Sequence, residues 1–196
     1  MCFLGYVDLT KGKEIILAVA PQLARAGVHI HFLGSSRETW PRAWLYRFRK
    51  QMFFHGNYKA DKVVTHLQEI NPHVVCLLSV FPETFSRTLS EAWAAGIPVI
   101  VGPVGAQAER VRQTGGGIVL SALKANIVIE TILGLKHHPQ AYEALRMAVS
   151  KISTQSELSM VGSIAPFIRH YWQAAPFRLR ERILSRQLSP IRLDHP

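Results

Sequence analysis

Short apolar runs that alternate with longer amphipathic stretches constrain this chain more than any other feature. CFLGYV, VHIHFL, HVVCLL, IPVIVG and GGIVL have the length of strands, and the segments between them carry apolar residues at spacings of three and four. From Lys13 to Ala26 that spacing runs through Ile15, Ile16, Val19, Leu23 and Ala26, and Gly27 follows as a helix stop. Strands separated by helices predict an α/β fold: a Rossmann-like parallel sheet of about six strands with helices on both faces. In such sheets ligands collect beyond the carboxyl ends of the strands. After Leu120 the alternation stops, and residues 123–135, 139–152 and 157–172 read as C-terminal helices. The expected organisation is one α/β domain over residues 1–175 and a basic tail over 176–196.

With 48% hydrophobic residues in 196, the chain can bury one sizeable core. Cys2 and Cys76 are the only cysteines, and Cys76 lies in the apolar run VVCLL, so neither a disulfide framework nor a thiolate metal site is indicated. No metal is expected. No apolar run approaches the ~18 residues that span a bilayer. MCFLGYVDLTKGK reaches charge and glycine too early for a signal peptide. The expected location is the cytoplasm, with peripheral contact at the inner face of a membrane as an open variant. A strand that starts directly after Met1 leads us to expect a piece of a longer protein, a compact natural start being the alternative.

The net charge of +10 is unevenly placed. Arg37, Arg42, Arg47, Arg49 and Lys50 face only Glu38, and a second basic stretch runs through Arg169, Arg178, Arg180, Arg182, Arg186 and Arg192. Such a field suits phosphate-bearing small molecules, anionic lipid or nucleic acid, and charge alone does not choose among them.

The segment FPETFSRTLSEAWAAGIPVIVGPVGAQAERV places Glu83 in a turn after Pro82, before a helix whose first turn is expected to hold Thr84, Phe85 and Ser86. Free N–H groups at such a helix start attract anions and hydroxyl oxygens. Glu91 falls on a face of that helix other than the one carrying Phe85, Leu89 and Ala92, roughly 10 to 12 Å from Glu83. That separation suits two hydroxyl-bearing parts of one ligand, since a carboxylate accepts from both hydroxyls of a vicinal diol. The alternative is that both acids are solvated helix charges. Near the start, LGYVDLTKGKE sets Gly5 at a strand end and Lys11 and Gly12 before the next helix, where a lysine either meets a phosphate or stays in solvent. No Walker loop and no Gly-x-Gly-x-x-Gly is present.

Taken in order, these pieces resemble the C-terminal, donor-binding domain of retaining glycosyltransferases of family 4, which have the two-domain GT-B fold. The resemblance rests on Glu83-TFSRTLS-Glu91 continuing into AWAAGIPVI, on GYVDLTKG against Gly-Arg-Leu-x-x-x-Lys-Gly, on GPVGAQAERV and on FFHGNY; it covers residues 3 to roughly 120. It implies transfer of a hexosyl group from a nucleoside diphosphate sugar to an acceptor hydroxyl with retention, without a metal or other cofactor. Glu83 would then contact the donor hexose and Lys11 the diphosphate, both in catalytic positions, and Glu91 would bind the ribose. The N–H groups of Thr84, Phe85 and Ser86 would hold sugar and phosphate oxygens, Gly5 and Tyr6 would line the donor site, and Gly56 and Asn57 would lie by the base. Tyr6 stands where the family has an arginine, so Arg87 or Arg110 would have to supply the second cation. The resemblance also implies an N-terminal GT-B domain as partner, a sugar or lipid-linked acceptor, and little or no transferase activity in the chain alone. Two other classes remain: a non-catalytic relative or sugar-nucleotide epimerase half of the same fold, and a basic membrane- or nucleic-acid-binding module, nucleic acid being the less expected.

His55, in FFHGNY, either borders the base pocket or caps a strand, and Ser79, at the end of HVVCLLS, is placed to line the cleft with no base to activate it. His29 and His31 alternate on one strand with no third ligand apparent, which favours a structural role. Trp40, Trp44, Leu45, Phe48 and Met52 form an apolar stripe among arginines: a surface helix packing on its own sheet, or one lying on an anionic membrane.

Overall fold

Alternate residues of each central strand enter different cores. In the computed structural model, which describes residues 1–152, Cys2, Leu4, Val75, Leu77, Val99 and Val101 belong to one buried cluster, and Phe3, Cys76 and Ile100 belong to another. The strands are β1 (Cys2–Leu4), β2 (Ile30–Leu33), β3 (Met52–Gly56), β4 (Val75–Leu77), β5 (Val99–Val101) and β6 (Gly117–Val119). They form one parallel six-stranded sheet in the order β3-β2-β1-β4-β5-β6. Central strands with apolar residues on both sides need cover on both faces. The helices supply it. One face takes Ile16, Val19 and Leu23 of α1 (Lys13–Arg25) with Val128 and Ile132 of α6 (Ala125–His137). The other takes residues of α3 (Val63–Ile70), α4 (Arg87–Ala94), α5 (Gly105–Thr114) and α7 (139–152). The expected Rossmann-like sheet with C-terminal helices is therefore the observed one.

Phe32 on β2 shows what holds the second cluster. It is fully buried and lies 5.4, 4.8 and 4.6 Å, ring centre to ring centre, from Phe3, Phe54 and Trp40. Burying a side chain of this size contributes roughly 1.5–3 kcal/mol. The apolar stripe between Trp40 and Met52 is used in the same way. Its helix, α2, covers only Arg42–Arg47; Trp40, Phe48 and Met52 are buried in the core, and Trp44 packs partly against it. The exposed Arg25 and Arg47 set their guanidinium groups over the buried Phe48 ring at 5.7 and 5.8 Å, so the stripe packs on its own sheet.

Among the described residues no helix is long and apolar enough to cross a membrane. The helix expected over 157–172, the boundary at 175/176 and the arginines from Arg169 to Arg192 lie outside the described residues.

Candidate functional site

The strand order reverses at β1, which has β2 on one side and β4 on the other, and a parallel sheet opens a crevice at such a point. A cavity of about 290 Å³ lies there, walled by the carboxyl ends of β1 and β4 and by the loops that leave them. Gly5, Tyr6, Asp8, Lys11, Ser79 and Glu83 line it, joined by Tyr58, Thr88 and Gln107.

The loop after β1 is folded by Asp8. Its Oδ1 accepts from Thr10 Oγ1 at 2.6 Å and from the Lys11 N–H at 3.0 Å, which holds the carboxyl below its ordinary range. Gly12 then packs against β4: with φ +77°, a Cβ on it would stand 2.2 Å from the Leu78 carbonyl oxygen. The Val80 N–H donates to the Thr10 carbonyl at 3.0 Å, closing the loop onto the end of β4.

Glu83 is fixed from the other side by the start of α5. The Ala106 N–H donates to its carbonyl at 2.9 Å, and a Cβ on Gly105, φ +79°, would meet its backbone nitrogen at 2.8 Å. Its Oε1 accepts from Ser79 Oγ at 2.8 Å and from Lys11 Nζ. Burial alone would raise the Glu83 carboxyl, but the hydrogen bonds from Lys11 and Ser79, with the lysine charge, outweigh it and hold the group below its ordinary range. The acid and the lysine that the sequence singles out thus form an ion pair at the switch point.

Helix α4 starts later than the sequence pattern predicts. Its first residue is Arg87, because Ser86 sits in the left-handed region at φ 65° and cannot be part of it. Thr84 and Phe85 are exposed loop residues, so the free N–H groups of the first turn belong to Arg87, Thr88 and Leu89. Ser86 is buried; its hydroxyl accepts from Gln107 Nε2 at 2.9 Å and lies 3.3 Å from that of Thr88.

Neither candidate for the second cation enters the cleft. Arg87 pairs with Glu91 at 3.1 Å, one turn along α4. Arg110 donates to the carbonyls of Phe85 and Ser86 at 2.9 and 3.2 Å and to Ser90 Oγ at 2.9 Å, with the rings of Phe85 and Trp93 against it. Glu91 itself is not on the cavity wall. It lies within α4 near the cleft-lining Tyr58; burial raises its carboxyl despite Arg87, and its Oε2 is buried with no hydrogen-bond partner.

Gly56, at the end of β3, and Asn57 and His55 are not on the wall of this cavity, although Asn57 adjoins the lining residue Tyr58. Asn57 and His55 line a neighbouring cavity with His31, Leu33, His66 and Glu69. His55 Nε2 and His31 Nδ1 are 3.0 Å apart and the two rings stack, while His29 meets Phe53 edge-on. Among the described residues no group of three metal-ligating side chains gathers. Sequence reasoning missed Asp8, Tyr58, Thr88 and Gln107. Gln107 had left a signal, being a polar residue one turn before buried Val111 on the inward face of α5.

The family model described as glycosyl transferases group 1 matches residues 1–138. No curated protein sequence matches the chain. Among solved structures, Anabaena Alr3699/HepE in complex with UDP superposes with a TM-score of 0.67 at 19% identity, over 86% of this chain and 48% of that one. The C-terminal domain of a glycosyl transferase group 1 family protein (LpcC) from Francisella tularensis gives 0.63 at 16%, over 80% and 85%. Sucrose-phosphate synthase from Thermosynechococcus elongatus gives 0.62 at 19%, over 89% and 46%. At these identities the likeness is one of fold, and the chain spans about half the length of the Anabaena protein (48%). The sheet order and the flanking helices are those of one lobe of a GT-B fold. The matched residues carry all six strands and the whole wall of the cleft, and the chain therefore belongs to the glycosyl transferases group 1 family.

Proposed function

We propose that this chain is the nucleotide-sugar donor-binding lobe of a retaining glycosyltransferase, which moves a hexosyl group from a nucleoside diphosphate sugar to an acceptor hydroxyl. The observation that carries the reading is the meeting of Gly5, Lys11, Ser79 and Glu83 around one cavity at the switch point of a sheet from this family. The Anabaena relative of the same fold is bound to UDP. Lys11 serves the diphosphate and Glu83 the donor sugar, while Glu91, with an oxygen already stripped of water and unpartnered, takes a ribose hydroxyl after a side-chain shift toward Tyr58. The reaction breaks the bond between the anomeric carbon and the diphosphate oxygen and forms one to the acceptor oxygen. The acceptor's proton leaves with the diphosphate. Its main demand is stabilising charge on that leaving group, which a lysine and a helix start meet by fixed charge and dipole. An N-terminal GT-B lobe carrying the acceptor site, with a sugar or lipid-linked acceptor, completes the enzyme.

Calorimetry of the purified chain with uridine, UDP, GDP and ADP tests this. One nucleoside diphosphate should bind, uridine alone should bind less tightly than UDP, and Lys11→Ala should lower diphosphate affinity about tenfold with little effect on the nucleoside. Absence of binding to all three diphosphates at millimolar concentration, or salt-steep binding to DNA in their place, would defeat the reading.

A further inference from the structure

Ser86 is one of only two non-glycine residues with positive φ among those described, and it stands directly before α4 at the cleft. Left-handed backbone is costly for a residue with a Cβ and persists where the surroundings over-determine it. Here two side chains of α5 do so, one at the Ser86 hydroxyl and one at the carbonyls on either side of its Cα. Gln107, buried and on the cleft wall, donates to the Ser86 hydroxyl at 2.9 Å. Arg110 holds the carbonyls of Phe85 and Ser86 and the hydroxyl of Ser90, its guanidinium between the rings of Phe85 and Trp93. Burial lowers the arginine only from its very high ordinary value, so it stays charged.

We propose that Gln107 and Arg110 are positioning residues: they clamp Ser86 in its left-handed turn and so set where α4 begins and where Thr88 and the Glu83 loop stand in the donor cleft. This assigns Arg110 a role different from that of a diphosphate cation. It rests on the donor-site reading for its effect on ligand, but the clamp itself is readable without ligand. If the clamp acts through the Ser86 backbone, a residue that adopts φ > 0 freely should make it unnecessary. Glycine at that position does so.

The experiment is a double-mutant cycle on the whole chain. Gln107→Leu and Arg110→Met, which keeps the apolar stem under Phe85 and Trp93, are made in the Ser86 and the Ser86→Gly backgrounds. Amide hydrogen exchange over residues 86–89 and UDP affinity by calorimetry are measured for each. With Ser86 present, both substitutions should speed exchange of those amides at least tenfold and weaken UDP about tenfold; with Ser86→Gly, each should change either readout by about threefold or less. Unchanged exchange in Gln107→Leu and Arg110→Met overturns the proposal. An equal loss in both backgrounds overturns it as well, because the residues would then act on the ligand or on stability at large. If Arg110→Met does not fold, Arg110→Lys decides in its place, because Ser86→Gly also removes the hydroxyl to which Gln107 donates. If the parent chain binds no nucleoside diphosphate, the donor-site reading fails, and the exchange data still decide on the clamp.

Discussion

One carboxylate oxygen of Glu91 is buried and has no donor to accept from, and that is a cost to the fold which the proposed ribose hydroxyl would relieve. A carboxyl raised by burial favours folding fully below its unfolded value of 4.5 and loses that favour as pH rises through the higher folded value. Neutral glutamine of the same shape escapes this loss, and the exposed side of the Arg87 pair is worth little. Glu91→Gln should therefore keep or raise the melting temperature at pH 7 while weakening nucleoside diphosphate binding about tenfold, the scale of one hydrogen bond to a charged group. Calorimetry and thermal melts on the same samples check both halves. His31 has the opposite dependence. Burial, with the nearby charges of the N-terminus, His55 and His29, lowers it from 6.5 to about 4. The unfolded chain takes up the proton first, so stability is full above pH 6.5 and falls as pH drops toward 4. His31→Phe, which keeps a ring against Phe53 at the observed 4.8 Å, should flatten the melting curve's acid slope over that window. At this scale Ser79 was legible because it stands just after a strand whose end is plain in the sequence, and Lys11 and Glu83 because each lies in a strand-to-helix connection at the carboxyl edge of the sheet. Tyr58 and Thr88 were not, because which residue of a loop turns into the crevice depends on backbone angles that no spacing encodes.

The strands and the long helices were legible because two-residue and three-to-four-residue periods survive translation into any sheet of this kind. The helix expected from residue 139 begins there and continues through 152, the last described residue. What failed was the start of α4, and the reason is local. Phe85 completes an apolar spacing with Leu89, yet its ring is exposed under Arg110 and its backbone precedes a left-handed serine, so periodicity counted it into a helix it does not join. The apolar stripe at Trp40 to Met52 is another case, since only Arg42–Arg47 is helical, while Trp40 and Phe48 reach the core from turns and Met52 from the start of β3. Glycines decide how elements meet at the site, and their contacts rank the expected damage. Ala at Gly12 would carry positive φ and a Cβ 2.2 Å from a carbonyl oxygen, a cost of about 2 to 5 kcal/mol. Ala at Gly96 would carry the same φ with nothing within 4 Å and should cost about 1 to 2 kcal/mol. Urea denaturation of the two variants should reproduce that order, and equal losses would mean that the Lys11 loop is free to move away from β4.

Across the whole described molecule, apolar exposure is concentrated at one edge. Six of the eight exposed large hydrophobic residues (Tyr6, Leu9, Val80, Phe81, Phe85 and Val104, 42–67% exposed) lie on the loops that leave the carboxyl ends of β1, β4 and β5. They surround a cleft whose lining has one cation, Lys11, against two carboxylates, Asp8 and Glu83, with the cation already paired to one of them. A diphosphate entering it gains a lysine and a helix start and meets two like charges, while Arg87 and Arg110 are engaged elsewhere. If this lobe holds a donor as proposed, its cleft is under-equipped to stabilise the leaving group. A facing lobe that covers the apolar edge would exclude water, strengthen every charge in the cleft and add the missing cation. The expectation is a separation of binding from turnover. The purified chain should bind a nucleoside diphosphate with affinity that weakens only modestly with salt, as one lysine allows, and it should release no detectable diphosphate from UDP-glucose or GDP-mannose in the presence of simple sugar or lipid-linked acceptors. Chromatography of the reaction products, run beside the calorimetry, reads both quantities. Steady turnover by the chain alone would show that the single lysine suffices and that no second lobe need face it.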